Sequence, residues 1–223
     1  MFQSNPIDGT IADRRLRRSA RDIPHNLVVA AIVPTAFGIT ASMFLRARSG
    51  TPFAYSVEGD ANGDGTALND LAYVPRDSVD ITLTNPAAYR ALEAYIEASA
   101  CLRSQRGRIM ARNTCRNPSV QSLDVRVARR FAATSRGAEL SVDVINLPNL
   151  LRSEWGRVRE TTSREVVELL AVQGWDAAND RPRYAVRTAG GTVVALPVLG
   201  AVSTTDGSIA SRWRIQVGAR IDY

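Results

Sequence analysis

Between positions 211 and 223 the sequence SRWRIQVGARIDY alternates without a break between two kinds of side chain. Trp213, Ile215, Val217, Ala219, Ile221 and Tyr223 fall on one side, and Arg214, Gln216, Gly218, Arg220 and Asp222 on the other. A period of two belongs to an extended strand, whose successive side chains point to opposite faces. Such a strand has two homes. In a soluble sheet the apolar face meets a protein core and the polar face water; in a transmembrane barrel they meet lipid and lumen. Aromatic rings at both ends favour the membrane, because Trp and Tyr settle at its two interfaces. From Trp213 to Tyr223 is 10 steps, about 33 Å at ~3.3 Å per residue. A tilt near 45° turns that into roughly 23 Å of depth, close to the apolar band of an outer-membrane barrel.

The same period recurs upstream. HNLVVAAIVP (25–34) is rich in β-formers and stops at Pro34, and TAFG (35–38) makes a short turn. In ITASMFLRARSGTPFAYS (39–56) the residues Ile39, Ala41, Met43 and Leu45 oppose Thr40, Ser42 and Arg46, with Phe44 the exception. SVQSLDVRVARRFA (119–132) sets Leu123, Val125 and Val127 against Asp124, Arg126 and Ala128. After the turn ATSRG, AELSVDVINL (138–147) sets Leu140, Val142 and Val144 against Ser141 and Asp143. Together with the last stretch these predict about five strands, each with one largely apolar face.

The connections are uneven. Two turns are short, whereas 57–118 and 149–208 are each roughly sixty residues, longer than compact soluble domains usually tolerate without structure. The first long segment predicts a helix over NPAAYRALEAYIEASA (85–100): Asn85 suits the N-cap, Pro86 the first turn, and Ala88, Leu92, Tyr95, Ile96 and Ala100 form an apolar stripe. The second predicts a hairpin of REVVELLAVQG (164–174) and RPRYAVRTAG (181–190) around DAANDRP. Short turns on one side and long loops on the other is the layout of an outer-membrane barrel. The expected fold is therefore all-β: an antiparallel transmembrane barrel segment of about five strands, with long external loops, one of them carrying a short helix. Residues 1–23 are expected as an N-terminal external segment leading into a barrel part over 24–223.

Composition narrows the chemistry. The chain has 223 residues, is 45% hydrophobic and carries a formal charge of +6, and all 28 of its basic residues are arginine. No run of ~18 apolar residues is present, so no membrane-crossing helix is written in it. The start has basic residues without an apolar stretch behind them, unlike a secretory signal. The densest basic run, Arg14, Arg15, Arg17, Arg18 and Arg21, has no interleaved aromatic and is flanked by Asp13 and Asp22. A solvated charged surface explains it better than nucleic acid. His25 is the only histidine, and no nucleophile elbow or phosphate loop occurs, so no catalytic residues are expected. Arg126, Asp143, Arg214, Arg220 and Asp222 would face a lumen, where cross-strand ion pairing is the simplest role for them. Cys101 and Cys115 form no zinc pattern with their neighbours. They are either two buried thiols or one disulfide, which would contribute ~3 kcal/mol in the chain-entropy model and require an oxidising compartment.

GDANGDGTALND (59–70) carries a calcium-loop pattern. Asp60, Asn62 and Asp64 take positions 1, 3 and 5 of an EF-hand-type loop, Gly65 takes position 6, and the Thr66 carbonyl suits position 7. Position 12 is Leu71, so the bidentate carboxylate is out of register, with Asp70 one residue early. Two readings follow: a structural calcium site of Asp60, Asn62, Asp64, Thr66 and Asp70, or a metal-free turn held by Asx hydrogen bonds and glycine.

Four stretches together resemble a known family: SGTPFAYSVEGDANGDGTALNDLAYVPRD (49–77), CLRSQRGRIMARNTCRNP (101–118), LSVDVINLPNLLRSEWG (140–156) and SRWRIQVGARIDY (211–223). In this order they resemble the last part of the barrel of a TonB-dependent outer-membrane receptor of the Oar-like kind. The resemblance implies a barrel of about 22 strands with a plug and a periplasmic domain, so this chain is expected to be a C-terminal part of such a protein. It also implies outer-membrane lipid, the rest of the barrel and plug, and the TonB complex as partners. The alternating end with its terminal aromatic looks like the signal read by the barrel assembly machinery. No cofactor is required by the resemblance, and structural calcium stays one of the two readings of 59–70. Five strands leave two open edges, which lipid does not tolerate, so the chain alone is not expected to form a working barrel. The competing class is a secreted calcium-binding or adhesive soluble β-domain. It requires the apolar faces of 119–132 and 211–223 to pack against each other as a sandwich.

Overall fold

The computed structural model describes residues 6–10, 12, 15–67, 69–133, 136–159, 166–195 and 211–222. The chain opens with strands β1 (Asn26–Pro34), β2 (Ile39–Arg48), β3 (Pro52–Glu58), β4 (Tyr73–Val74) and β5 (Thr82–Leu83). Helices α1 (Tyr89–Ala98) and α2 (Ala100–Arg103) follow, then β6 (Arg108–Ile109), β7 (Cys115–Arg116), β8 (Val120–Ala133), β9 (Arg136–Ile145) and α3 (Leu147–Leu151). The remainder holds β10 (Val166–Asp176), β11 (Arg181–Val186), β12 (Thr188–Ala189), β13 (Thr192–Val193) and β14 (Arg214–Asp222). These elements divide into two compact units. A core unit comprises Met1–Asp22, Thr51–Asn117 and Thr161–Ala201; a sheet unit comprises Ile23–Gly50, Pro118–Glu160 and Val202–Tyr223.

The sheet unit is one antiparallel sheet in the order β1-β2-β8-β9-β14. Its register aligns the alternating patterns of all five strands. Ala31, Met43, Val125, Val144 and Ile215 form one cross-strand row, and Val33, Ala41, Val127, Val142 and Val217 form another on the same face. The opposite face carries the row Ile32, Ser42, Arg126, Asp143 and Gln216. There Arg126 bonds Glu139 at 3.1 Å and Asp143 at 3.4 Å, the cross-strand pairing expected of facing charges. Both short connections, 35–38 and the β8–β9 tip, lie at one end of the sheet. The two long ones leave and re-enter at the other, beside Arg48 and Val120, and Ile145 and Arg214. The expected antiparallel strands are present, but β1 and β14 end the order as edges, and the described residues form no closed barrel.

One expected strand is two. The alternation over 39–56 breaks at Ser49, Gly50 and Thr51, where β2 ends and β3 begins in the core unit. The reason is visible in β3, whose first six residues are all buried. A strand covered on both faces has no use for alternation.

The long segments 57–118 and 149–208, expected as loops, supply most of the core unit, joined by the described part of 1–23. Its sheet runs β5-β11-β10-β3-β7 and is mixed: β3 with β10 and β5 with β11 are parallel, β10 with β11 and β3 with β7 antiparallel. The buried cluster includes Tyr55, Val57, Leu92, Ile96, Leu102, Met110 and Leu170. The predicted helix forms with Asn85 at its start. The Asn85 side chain accepts from the Ala87 amide, a 3-10 turn Pro86–Ala88 leads into α1, and the stripe buries Leu92 and Ile96. At Ser99 the backbone turns extended and its hydroxyl caps α2, so the predicted single helix is interrupted. The β10–β11 hairpin forms as predicted, with a bulge between Val172 and Trp175.

Candidate functional site

The acidic loop follows β3 and is closed by its own hydrogen bonds. Asp60 accepts from the amides of Gly63 at 2.7 Å, Asp64 at 3.2 Å and Gly65 at 2.8 Å. Asn62 accepts from the Asp64 amide, and Asp64 from the Thr66 amide, each at 2.8 Å. Glycines 63 and 65 take positive φ of 75° and 84°, where a Cβ would be strained. Asp70 accepts from the backbone amides of Ala61 and Asn62 at 2.6 and 3.3 Å, while the Asn62 side-chain Nδ2 donates to Asp70, Asp64 and the Gly9 carbonyl. Burial pushes the Asp70 carboxyl above the usual carboxylate range against these amide bonds, and the charges of Asp64 and Asp60 push the same way. Leu71 at position 12 lies in the core at 3% exposure. Among the described residues no group of three or more His, Cys, Asp or Glu side chains is placed to hold a metal. The loop therefore brings together Asp60, Asn62, Asp64 and Asp70 as a hydrogen-bonded turn, and Thr66 contributes its amide to it.

Cys101 of α2 and Cys115 of β7 form a disulfide across 14 positions, with Cα atoms 5.4 Å apart. It ties the helical segment to the strand beside β3. The basic run is also tied down. Arg17 pairs with Asp8, the Arg18 carbonyl accepts from Asn113 at 2.7 Å, and the flanking Asp22 pairs with Arg116 at 2.9 Å. Arg14 and Asp13 lie outside the described residues.

Trp213, just before β14, and Ile215, Val217 and Ile221 within it are exposed, with Val217 reaching 74% and Ile221 68%. They continue a face on which Leu27, Val33, Met43, Val127, Phe131, Leu140 and Val142 are also exposed. Ala219 stands in the same row series, opposite Leu140; Tyr223 lies outside the described residues. This face has no protein cover among the described residues of its own unit.

A cavity of about 290 Å³ opens in the core unit between the acidic loop and the β10–β11 hairpin. Leu71, Ile81, Ile109 and Pro182 make its apolar wall, and Tyr73, Asp80, Arg181 and Tyr184 bring polar groups to it. Asp80 accepts from the Tyr73 hydroxyl at 2.8 Å and the Arg76 amide at 2.9 Å. The Arg76 amide foremost, then the Tyr73 hydroxyl and the charges of Arg76 and Arg181, hold its carboxyl below the usual range despite partial burial. Burial pushes the Tyr184 hydroxyl up to about 12, with the Asp70 charge adding to it. Asp80, Arg181 and Tyr184 carry no local motif. They meet only because β11 pairs with β5, about 100 positions away in sequence, and the predicted hairpin was the only signal that pointed near them.

Comparison of the chain with protein-family models, with curated proteins and with solved structures gives no match.

Proposed function

We propose that this chain is part of a TonB-dependent outer-membrane receptor, with the sheet unit as membrane-spanning strands and the core unit as elaborated external loops. The observation that carries the reading is the uncovered apolar face of the sheet unit. Five strands in register present aliphatic rows to one side; the other carries the charged and amide groups of β8, β9 and β14, with Val28, Ile32 and Phe44 exposed on β1 and β2 beside them. Contiguous exposed apolar area on that scale marks a partner or a membrane, and alternation of lipid-facing with lumen-facing residues is the barrel pattern. Exposed rings add support at both ends of the strands: Trp155 and Trp213 on the long-connection side, Phe37 and Phe131 on the short-turn side. The disulfide fits a compartment outside the cytosol.

In this reading β1 and β14 are edges that the rest of the barrel pairs, which removes the open backbone groups lipid would leave unsatisfied. Outer-membrane lipid, the remaining barrel and plug, the assembly machinery and the TonB complex are the proposed partners. Energy-coupled uptake of a scarce ligand is the proposed activity, with no catalysis by this chain. Calcium is proposed only as an additional ordering ligand of the 59–70 loop. A melting temperature raised by calcium and not by magnesium supports it, and an unmoved one leaves the hydrogen-bonded turn as the whole account. The soluble sandwich reading loses its packing: β8 and β14 lie in one sheet with β9 between them, so their apolar faces point the same way and not at each other.

The test is fractionation of the expressed gene product with heat-modifiability on a gel. The expected result is an outer-membrane band that shifts on boiling. A product that stays soluble and monodisperse without detergent would overturn the proposal.

A further inference from the structure

We infer that the cavity of the core unit is a binding site for a small dipolar molecule with an apolar side group, of the class of a free α-amino acid. The inference stands apart from the membrane reading, because every residue in it belongs to the core unit. Size is the first constraint. At about 290 Å³ the cavity lies at the small end of the ~300–1,000 Å³ usual for ligand sites, which suits one residue-sized molecule better than an oligosaccharide or a metal chelate.

Unspent hydrogen-bonding capacity is the second. Tyr184 is 7% exposed, yet its hydroxyl has no partner among the described residues. The hydroxyl oxygen itself opens to the cavity, where a ligand atom would replace water as its partner. The Tyr73 hydroxyl and the Arg76 amide both bond one oxygen of Asp80, Oδ2, leaving Oδ1 open. Arg181 spends Nε on the Thr82 hydroxyl at 2.8 Å and Nη2 on the Val79 carbonyl at 3.0 Å, leaving Nη1 open.

Charge arrangement is the third. Asp70, Asp80 and Arg181 line one cavity; Asp80 lies 3.8 Å from the largely exposed Arg76 guanidinium through Oδ2 and makes no ion pair with Arg181, while Asp70 is spent on the Ala61 and Asn62 groups of the acidic loop. A ligand carrying an ammonium beside a carboxylate meets both at once, the ammonium at Asp80 Oδ1 and the carboxylate at Arg181 Nη1. The aliphatic wall of Leu71, Ile81, Ile109 and Pro182 then receives its side group. A neutral sugar would leave Asp80 Oδ1 and Arg181 Nη1 without a charged partner, and a simple anion or cation would serve only one of them.

Calorimetric titration of the full chain, in detergent where its solubility requires it, tests this with four probes. Leucine carries both charges, N-acetyl-leucine only the carboxylate, leucinamide only the ammonium, and glucose neither. The expected result is saturable binding of leucine, weakened about tenfold or more by either cap, because each cap removes one of the two charged groups that Asp80 Oδ1 and Arg181 Nη1 would bond. Asp80→Asn keeps acceptors for Tyr73 and Arg76, and Tyr184→Phe keeps the ring. Both variants are expected to melt within a few degrees of the parent while losing leucine affinity. Binding of glucose in place of leucine, equal binding of the capped probes, or no heat with any probe would each overturn the inference.

Discussion

At the scale of single residues, one position shows how little slack the backbone has and a second what a partly covered ion pair contributes. Gly38 ends the β1–β2 turn at φ +71°, and a Cβ there would lie 2.7 Å from the Arg130 backbone oxygen. The obstacle is main chain and cannot swing aside. Gly38→Ala is therefore expected to destabilise the sheet unit by more than ~1 kcal/mol, read as a lower denaturation midpoint. Glu93 makes the second case. The Arg106 guanidinium, at 2.5 Å, holds its carboxyl below the usual range, and the Tyr89 hydroxyl helps. A folded-state pKa below the unfolded one gives stability that is present above the unfolded value near ~4.3 and lost as pH falls through the folded one. Glu93→Gln should thus melt lower than the parent at pH 7, and the two should converge in acid. Persistence of the full difference at pH 2 would show that the pair acts through packing instead.

At the scale of elements, the disulfide and the broken helix act together. α1 and α2 are short, and isolated helices of that length are marginal. Their hold comes from burying Leu92, Ile96 and Leu102, each 0% exposed, and from the Cys101–Cys115 bridge. Reduction with dithiothreitol is expected to lower the stability of the core unit by ~3 kcal/mol in the loop-entropy model. Midpoints in denaturant with and without reductant measure it. Unchanged midpoints would place the stability wholly in the hydrophobic cluster.

At the scale of the whole molecule, the decisive property is which environment covers the aliphatic rows. Val217 and Gln216 are neighbours on β14 with side chains on opposite faces. In lipid, Val217→Arg is expected to cost ~2–4 kcal/mol near the midplane, whereas a charge added on the lumen face costs little. Outer-membrane yield of Val217→Arg should fall while that of Gln216→Arg stays near the parent. Equal yields would argue that neither face meets lipid.

The sequence by itself determined the strands of the sheet unit, the start and stripe of α1, and the β10–β11 hairpin. Alternation, an Asn-Pro cap and turn residues act through near neighbours, and near neighbours are all that a linear pattern records. It also marked the 59–70 turn, because Asx and glycine positions close on backbone a few residues away. Only tertiary structure decided the rest. The break between β2 and β3 followed from burial of β3 on both faces, which erases alternation. The core unit arose where segments far apart in sequence paired in parallel, β3 with β10 and β5 with β11, and parallel pairing leaves no turn signature. The cavity shares that origin: Asp80, Arg181 and Tyr184 carry no local motif and line one cavity only where two strands about a hundred residues apart lie side by side.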